Sequence, residues 1–133
     1  MSGINKLILS TILVKDLDKA LNFYCNKLGF IKKHDIQRDK ERWLTIAPKN
    51  QNEIEFLLRT PQANNNELII KEMNQTIGRG TLFTFSTNNL ESTYRDLKYK
   101  GVNFISEPSN QVEGKIAIFE DLDGNRFSLL EIV

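Results

Sequence analysis

Two kinds of apolar pattern alternate along this chain. One is the short run rich in β-branched residues; the other is recurrence at helical spacing. Residues 6–14 are of the first kind and predict a strand bounded by charge. Asp16 then stands where a helix N-cap belongs, and Asp18 adds a negative charge to the first turn. Leu17, Ala20, Leu21, Tyr24 and Leu28 recur along one helical face, and Gly29 suits a left-handed C-cap. Residues 30–36, 42–47 and 53–59 read as three further strands, with a turn at 48–52.

The second half repeats that order. Residues 81–87 predict a strand, and Asn89 caps a helix whose apolar face is Leu90, Tyr94 and Leu97. Gly101 closes it. Residues 102–106 predict the next strand, and Pro108, Ser109 and Asn110 break the pattern. Residues 115–120 and 126–132 predict the last two strands, joined through Asp121-Leu122-Asp123-Gly124-Asn125. A shift of 73 places Leu9 on Leu82, Leu17 on Leu90, Tyr24 on Leu97 and Glu55 on Ser128. One shift that aligns a strand, a helical face and a hairpin argues for internal duplication. The expected fold is α+β: a β-α-β-β-β module over about 5–60, a linker over 61–80 and a second module over about 81–133. Asn64-Asn65-Asn66 and two glycines suggest a mobile loop in the linker, with a helical turn open at 68–73.

Composition narrows the function classes. A chain of 133 residues suits a single domain with a real core. The net charge of +1 gives no electrostatic case for nucleic acid or an anionic membrane surface. No apolar run approaches a transmembrane span, and residues 1–6 lack a signal-type apolar stretch. Cys25 is the only cysteine, so neither a disulfide framework nor a Cys-rich metal site is expected. These features give the expectation of a cytoplasmic protein.

Val-Lys-Asp-Leu-Asp-Lys-Ala-Leu-Asn-Phe-Tyr at 14–24, Lys-Leu-Gly-Phe at 27–30 and Phe-Glu-Asp-Leu-Asp-Gly-Asn-Arg-Phe-Ser-Leu at 119–129 carry a resemblance. They resemble the opening helix and last hairpin of the glyoxalase/bleomycin-resistance/extradiol-dioxygenase group, the vicinal oxygen chelate superfamily. The resemblance covers essentially the whole chain. It implies two modules forming an incomplete barrel, helices on its outer face, around a concave pocket that takes a small molecule, often in a homodimer. It is specific for fold, since this superfamily hosts many chemistries.

Metal-dependent members place four ligands, typically His or Gln, Glu, His and Glu, on the first and fourth strands of each module. The resemblance maps those positions onto Leu9, Glu55, Leu82 and Ser128. Only Glu55 is a good ligand for a divalent ion, so neither a metal nor another cofactor is expected. Metal-dependent glyoxalase I or dioxygenase activity is not expected either.

Glu55 alternates with Ile54 and Phe56, so Glu55 and Leu57 face the concavity if the neighbours face the helices. Pairing of the third and fourth strands through a tight turn sets Thr45 opposite Glu55 and Trp43 opposite Leu57, although a one-residue slip reverses the third strand. The expected ligand-binding set is Leu9, Thr11, Trp43, Thr45, Glu55, Leu57, Leu82 and Ser128. Ile116, Ile118, Ser128 and Leu130 form the oilier second half. Glu55, the only candidate for a catalytic role, meets a donor or cation on the ligand, acts as a base between apolar walls, or is an inherited carboxylate held by water or a cation. Trp43 stacks on a ligand or packs in the core. His34, among Lys32, Lys33 and Asp35, reads as a surface residue, and no local motif activates Cys25. The reading is a metal-free protein that binds or sequesters a small organic molecule of the toxic kind. The alternative is a lyase, isomerase or dioxygenase-like enzyme that uses Glu55 with a divergent metal site or none.

Overall fold

The computed structural model describes residues 2–39, 41–63, 66–79 and 83–132. The chain divides into two compact units, Met1–Ala63 and Asn64–Val133, each holding one β-α-β-β-β module.

The first module comprises β1 (Leu9–Leu13), α1 (Leu17–Asn22), β2 (Ile31–Arg38), β3 (Glu41–Ala47) and β4 (Glu55–Arg59). Its sheet has the order β1-β4-β3-β2. β1 runs parallel to β4, and the other pairings are antiparallel. The first strand starts at Leu9 rather than at residue 6, because β4 offers nothing earlier: the Glu55 amide donates to the Ile8 carbonyl at the mouth of the ladder. Leu7 and Ile8 remain exposed.

Asp16 caps α1 as its sequence position suggests, accepting from the Lys19 amide at 2.9 Å. The helix then widens into a π turn over Phe23–Lys27, where Leu28 donates to the Phe23 carbonyl. The consecutive Phe23 and Tyr24 are both buried there, their rings edge-to-face at 5.4 Å. Tyr24 contacts Phe30, and Phe30 stacks on Phe56 of β4. This ring chain, with buried Ile12, Leu44, Ile46 and Leu58, marks the helical face of the sheet. Residues that alternate with them point the other way.

In the second unit, Asn66 caps α2 (Glu67–Thr76) by accepting from the Leu68 and Ile69 amides. The expected mobile loop is therefore largely a helix, although none of its residues is buried. β5 (Phe83–Ser86), α3 (Leu90–Tyr99), β6 (Asn103–Gln111), β7 (Gly114–Glu120) and β8 (Arg126–Ile132) follow. The start of the expected strand at residues 81 and 82 lies outside the described residues. The order β5-β8-β7-β6 repeats that of the first sheet.

Pro108 does not end its strand. β6 runs on to Gln111 because it is an edge strand, where a missing amide costs no ladder bond, and its pairing with β7 slips between Ser106 and Ser109 to accommodate the ring. The Asp121–Asn125 turn is a closed hydrogen-bonded knot. Asp121 accepts from the Asp123 and Asn125 amides at 2.8 and 2.9 Å and from the Asn125 side chain at 2.8 Å. Asn125 in turn accepts from the Gly78 amide at 3.0 Å, which fastens the segment after α2.

Candidate functional site

The face of the first sheet opposite α1 carries most of the expected site. Its register is set by Leu9 beside Glu55 and Thr11 beside Leu57 on the parallel side. On the antiparallel side Thr45 pairs with Leu57, not with Glu55, and Leu44 pairs with Leu58. The expected pairing of β3 with β4 is thus wrong by two residues. A two-residue slide preserves the side-chain period, so the face assignments stand while the neighbours change.

The consequence is largest for Trp43. It becomes a diagonal neighbour of Leu57 instead of its partner and comes to the Arg59 end of β4, four positions along the strand from Glu55, or about 13 Å at strand rise. Trp43 is 44% exposed, so it is no core residue. Thr45 and Leu57 are buried.

Glu55 is held by two side chains. Thr45 donates its hydroxyl to Oε1 at 2.7 Å, diagonally across the ladder. His34 brings Nε2 to 3.6 Å from Oε2, with 52% of its side chain exposed and 27% of that of Glu55. His34 is on the surface, as its charged neighbours suggest, and there lies within ion-pair reach of Glu55. It sits opposite Thr45 in the β2–β3 ladder, just past an irregularity between Lys32 and His34. Past that irregularity His34 pairs with Thr45 and Ile36 with Trp43, so both take the face of Glu55.

At the Arg59 end of the sheet, a cleft of about 360 Å³ is lined by residues of both faces, Trp43, Leu57 and Arg59 from this one and Leu17 and Leu58 from the α1 side, with Thr60 and Gln62 beyond β4. Arg42 also reaches it but is already engaged. Its guanidinium donates to both Asp35 oxygens at 2.8 and 2.9 Å and to Asp18 at 2.8 Å. Hydrogen bonding to Asp35, then to Asp18, pushes Arg42 further up from its ordinary value, and Arg42 holds the Asp35 carboxyl below the usual carboxylate range. Among the described residues no hydrogen bond or ion pair engages the Arg59 guanidinium. Arg59 and Gln62 carry no motif that marks them in the sequence.

Cys25 is partly buried, and burial pushes its thiol up against the opposing pull of Lys32. The thiolate a nucleophile requires is thereby disfavoured.

In the second sheet Ile118 pairs with Ser128 and Ile116 with Leu130, so these four residues share one face. The β5 neighbour of Ser128 is Thr84; Leu82 lies outside the described residues. In the first module Val14 donates to the Arg59 carbonyl, and in the second Thr87 donates to that of Leu130. The shift of 73 therefore relates the first strands and helix caps but not the last strands, which are slid by two residues. Aligned on the first strands, Ser128 corresponds to Leu57 rather than to Glu55.

The comparisons with known proteins agree with this architecture. Residues 4–129 match the Glyoxalase/Bleomycin resistance protein/Dioxygenase superfamily. The chain belongs to this family. It is 38% identical over 129 residues to the uncharacterized protein YurT of Bacillus subtilis (strain 168), covering 95% of this chain and 98% of that one. Among solved structures, UcmS2 is 34% identical with a TM-score of 0.85, over 96% of this chain and 98% of the other. TnmS3, an antibiotic-binding protein from Streptomyces sp. CB03234, shares the fold at a TM-score of 0.76, with 24% identity and full coverage of both chains.

The family's divalent metal does not fit the residues present. Leu9 and Leu82 have no donor atom, Ser128 is a poor ligand for such an ion, and Arg126, which aligns with Glu55 once the slide of β8 is allowed for, is a cation. Among the described residues no group of three or more His, Cys, Asp or Glu side chains gathers to replace them. No helix among them is long and apolar enough to cross a membrane.

Proposed function

We propose that this protein binds a small organic molecule on the α1-distal face of its first sheet, without the metal used by other members of the family. The observation that carries the reading is the Glu55 carboxylate. It is oriented by Thr45 and His34, flanked by Leu9 and lies on the same face as the apolar Leu57. A few placed polar groups among apolar neighbours are the usual make-up of a small-molecule site. The set that serves the ligand on this sheet is Leu9, Thr11, Trp43, Thr45, Glu55 and Leu57. The ligand presents a donor or a cation to Glu55. Likeness of fold to the antibiotic-binding TnmS3 supports an antibiotic or other toxic compound as the ligand class.

The test is a thermal-shift screen of cationic and neutral drugs, followed by Glu55→Gln. Saturable stabilisation by a cationic compound, weakened about tenfold in the variant, is expected for a lost charge-assisted contact. A stoichiometric transition metal in protein purified without chelator, or a Glu55→Gln variant that binds every ligand as tightly, rejects the reading. Homodimer formation belongs to the same proposal and is supported by exposed Ile4, Leu7, Ile31 and Ile36 in the first unit. Sedimentation reads it directly.

The approach of His34 to Glu55 favours a second reading, an enzyme in which one of the pair takes a proton from a bound substrate and the other returns one to it. Turnover abolished by Glu55→Gln with binding retained selects it.

A further inference from the structure

The cleft at the Arg59 end of the first sheet has a chemistry opposite to that of Glu55. We infer that it takes a planar aromatic group carrying a carboxylate or similar small oxyanion. The inference rests on the proposed binding role of this face and gives the ligand a second, negatively charged pole.

Trp43 presents an indole that is 44% exposed, a large apolar surface left open on the wall of a cleft. An aromatic ring stacked there covers it. Leu57 supplies an apolar floor. Arg59 supplies the charge, and two facts single it out. Arg42, the other guanidinium on the cleft, has its donors turned to Asp18 and Asp35. Arg59 has no described partner, so its planar fork is available for a bidentate oxyanion. Thr60 and Gln62 add polar groups on the same wall. Glu41 also borders the cleft, but it is exposed and sits opposite Arg38 in the β2–β3 ladder. Because Glu55 and Arg59 lie on one face of β4, about 13 Å apart along the strand, one elongated ligand with a cationic and an anionic end can address both.

Trp43 is the sole tryptophan, so fluorescence excited selectively at tryptophan reports this cleft. Purified protein is titrated with 4-nitrobenzoate, 4-nitrobenzyl alcohol and 4-nitrobenzylamine, three quenchers of similar size and different charge. Saturable quenching by the carboxylate at about tenfold lower concentration than by the other two is expected, the worth of a charge-assisted hydrogen bond. Arg59→Gln abolishes that preference, and Arg59→Lys retains part of it, with circular dichroism confirming that both variants are folded. If the alcohol or the amine binds as tightly as the carboxylate, or if Arg59→Gln keeps the preference, the anionic pole is overturned and the binding role of Glu55 stands. If no probe quenches saturably, the cleft is not an aromatic site and the inference falls, while the drug screen with Glu55→Gln judges the parent reading separately.

Discussion

The Thr45 hydroxyl donates a 2.7 Å hydrogen bond to Glu55 although the two residues are not cross-strand partners. Thr45 pairs with Leu57, so the bond runs diagonally and spans the edge of a buried patch. A buried hydroxyl must have a partner, and a carboxylate beside apolar neighbours needs donors. Each residue meets the other's requirement, which fixes where the Glu55 charge points.

Thr45→Val keeps the volume and removes the donor. A loss of about 1 kcal/mol in urea unfolding is expected from one net hydrogen bond. Adding Glu55→Gln should then cost less than it does alone, because the two residues act as a unit. Strict additivity in the double-mutant cycle contradicts the coupling.

On the opposite face, Arg42 joins β2 and α1 through Asp35 and Asp18. Asp18 is largely exposed, which limits what the cluster contributes to about 1 kcal/mol at neutral pH. Asp35 has its folded pKa depressed, so its contribution is present above the unfolded value, about 3.9, and is lost as pH falls through the folded value. Arg42→Gln should lower Tm at pH 7 by leaving Asp18 without this partner and Asp35 with only Lys32, 3.6 Å away, and the gap from the parent protein should close below about pH 4. A gap that is constant from pH 7 to pH 3 is inconsistent with this cluster.

Glu131 of β8 accepts from the Leu90 amide at 2.7 Å, placing a carboxylate at the N-terminus of α3 beside the Asn89 cap. Glu131→Gln should cost about 0.5 kcal/mol and Glu131→Leu about 1 kcal/mol, by loss of charge and then of the acceptor. Equal stability of all three proteins in urea contradicts a role for Glu131 at the helix end.

The order of strands and helices was legible because caps and alternation are local. Asp16 and Asn89 both cap as read. Neighbours across a sheet are not local. The loop at 48–52 does not reveal whether β3 and β4 pair at 45/55 or 45/57, and both registers put the same residues on each face. For that reason the membership of the site could be read while its layout could not. Trp43 was placed beside Glu55 instead of beside Arg59. His34 is on the surface as its charged neighbours suggest, but its approach to Glu55 depends on the irregular β2–β3 register, which the sequence does not reveal. The same ambiguity let one shift of 73 appear to relate both halves fully, although β8 is slid by two against β5.

Two glycines with nearly the same backbone angle separate conformational cost from steric cost. Gly29 has φ +79° and Gly78 has φ +80°. A Cβ at Gly29 meets nothing within 4 Å, whereas at Gly78 it falls 2.7 Å from the Asp123 carbonyl oxygen. That oxygen belongs to the turn knotted by Asp121 and Asn125, which also accepts the Gly78 amide, so neither side can retreat without breaking hydrogen bonds. Gly29→Ala should cost about 1 kcal/mol, the price of a left-handed conformation for an L-residue. Gly78→Ala should cost more, about 2–3 kcal/mol, and should loosen the end of α2, seen as faster amide exchange at Ile77 and Gly78. Equal losses in the two variants refute the close approach of the α2 exit to the Asp121–Asn125 turn.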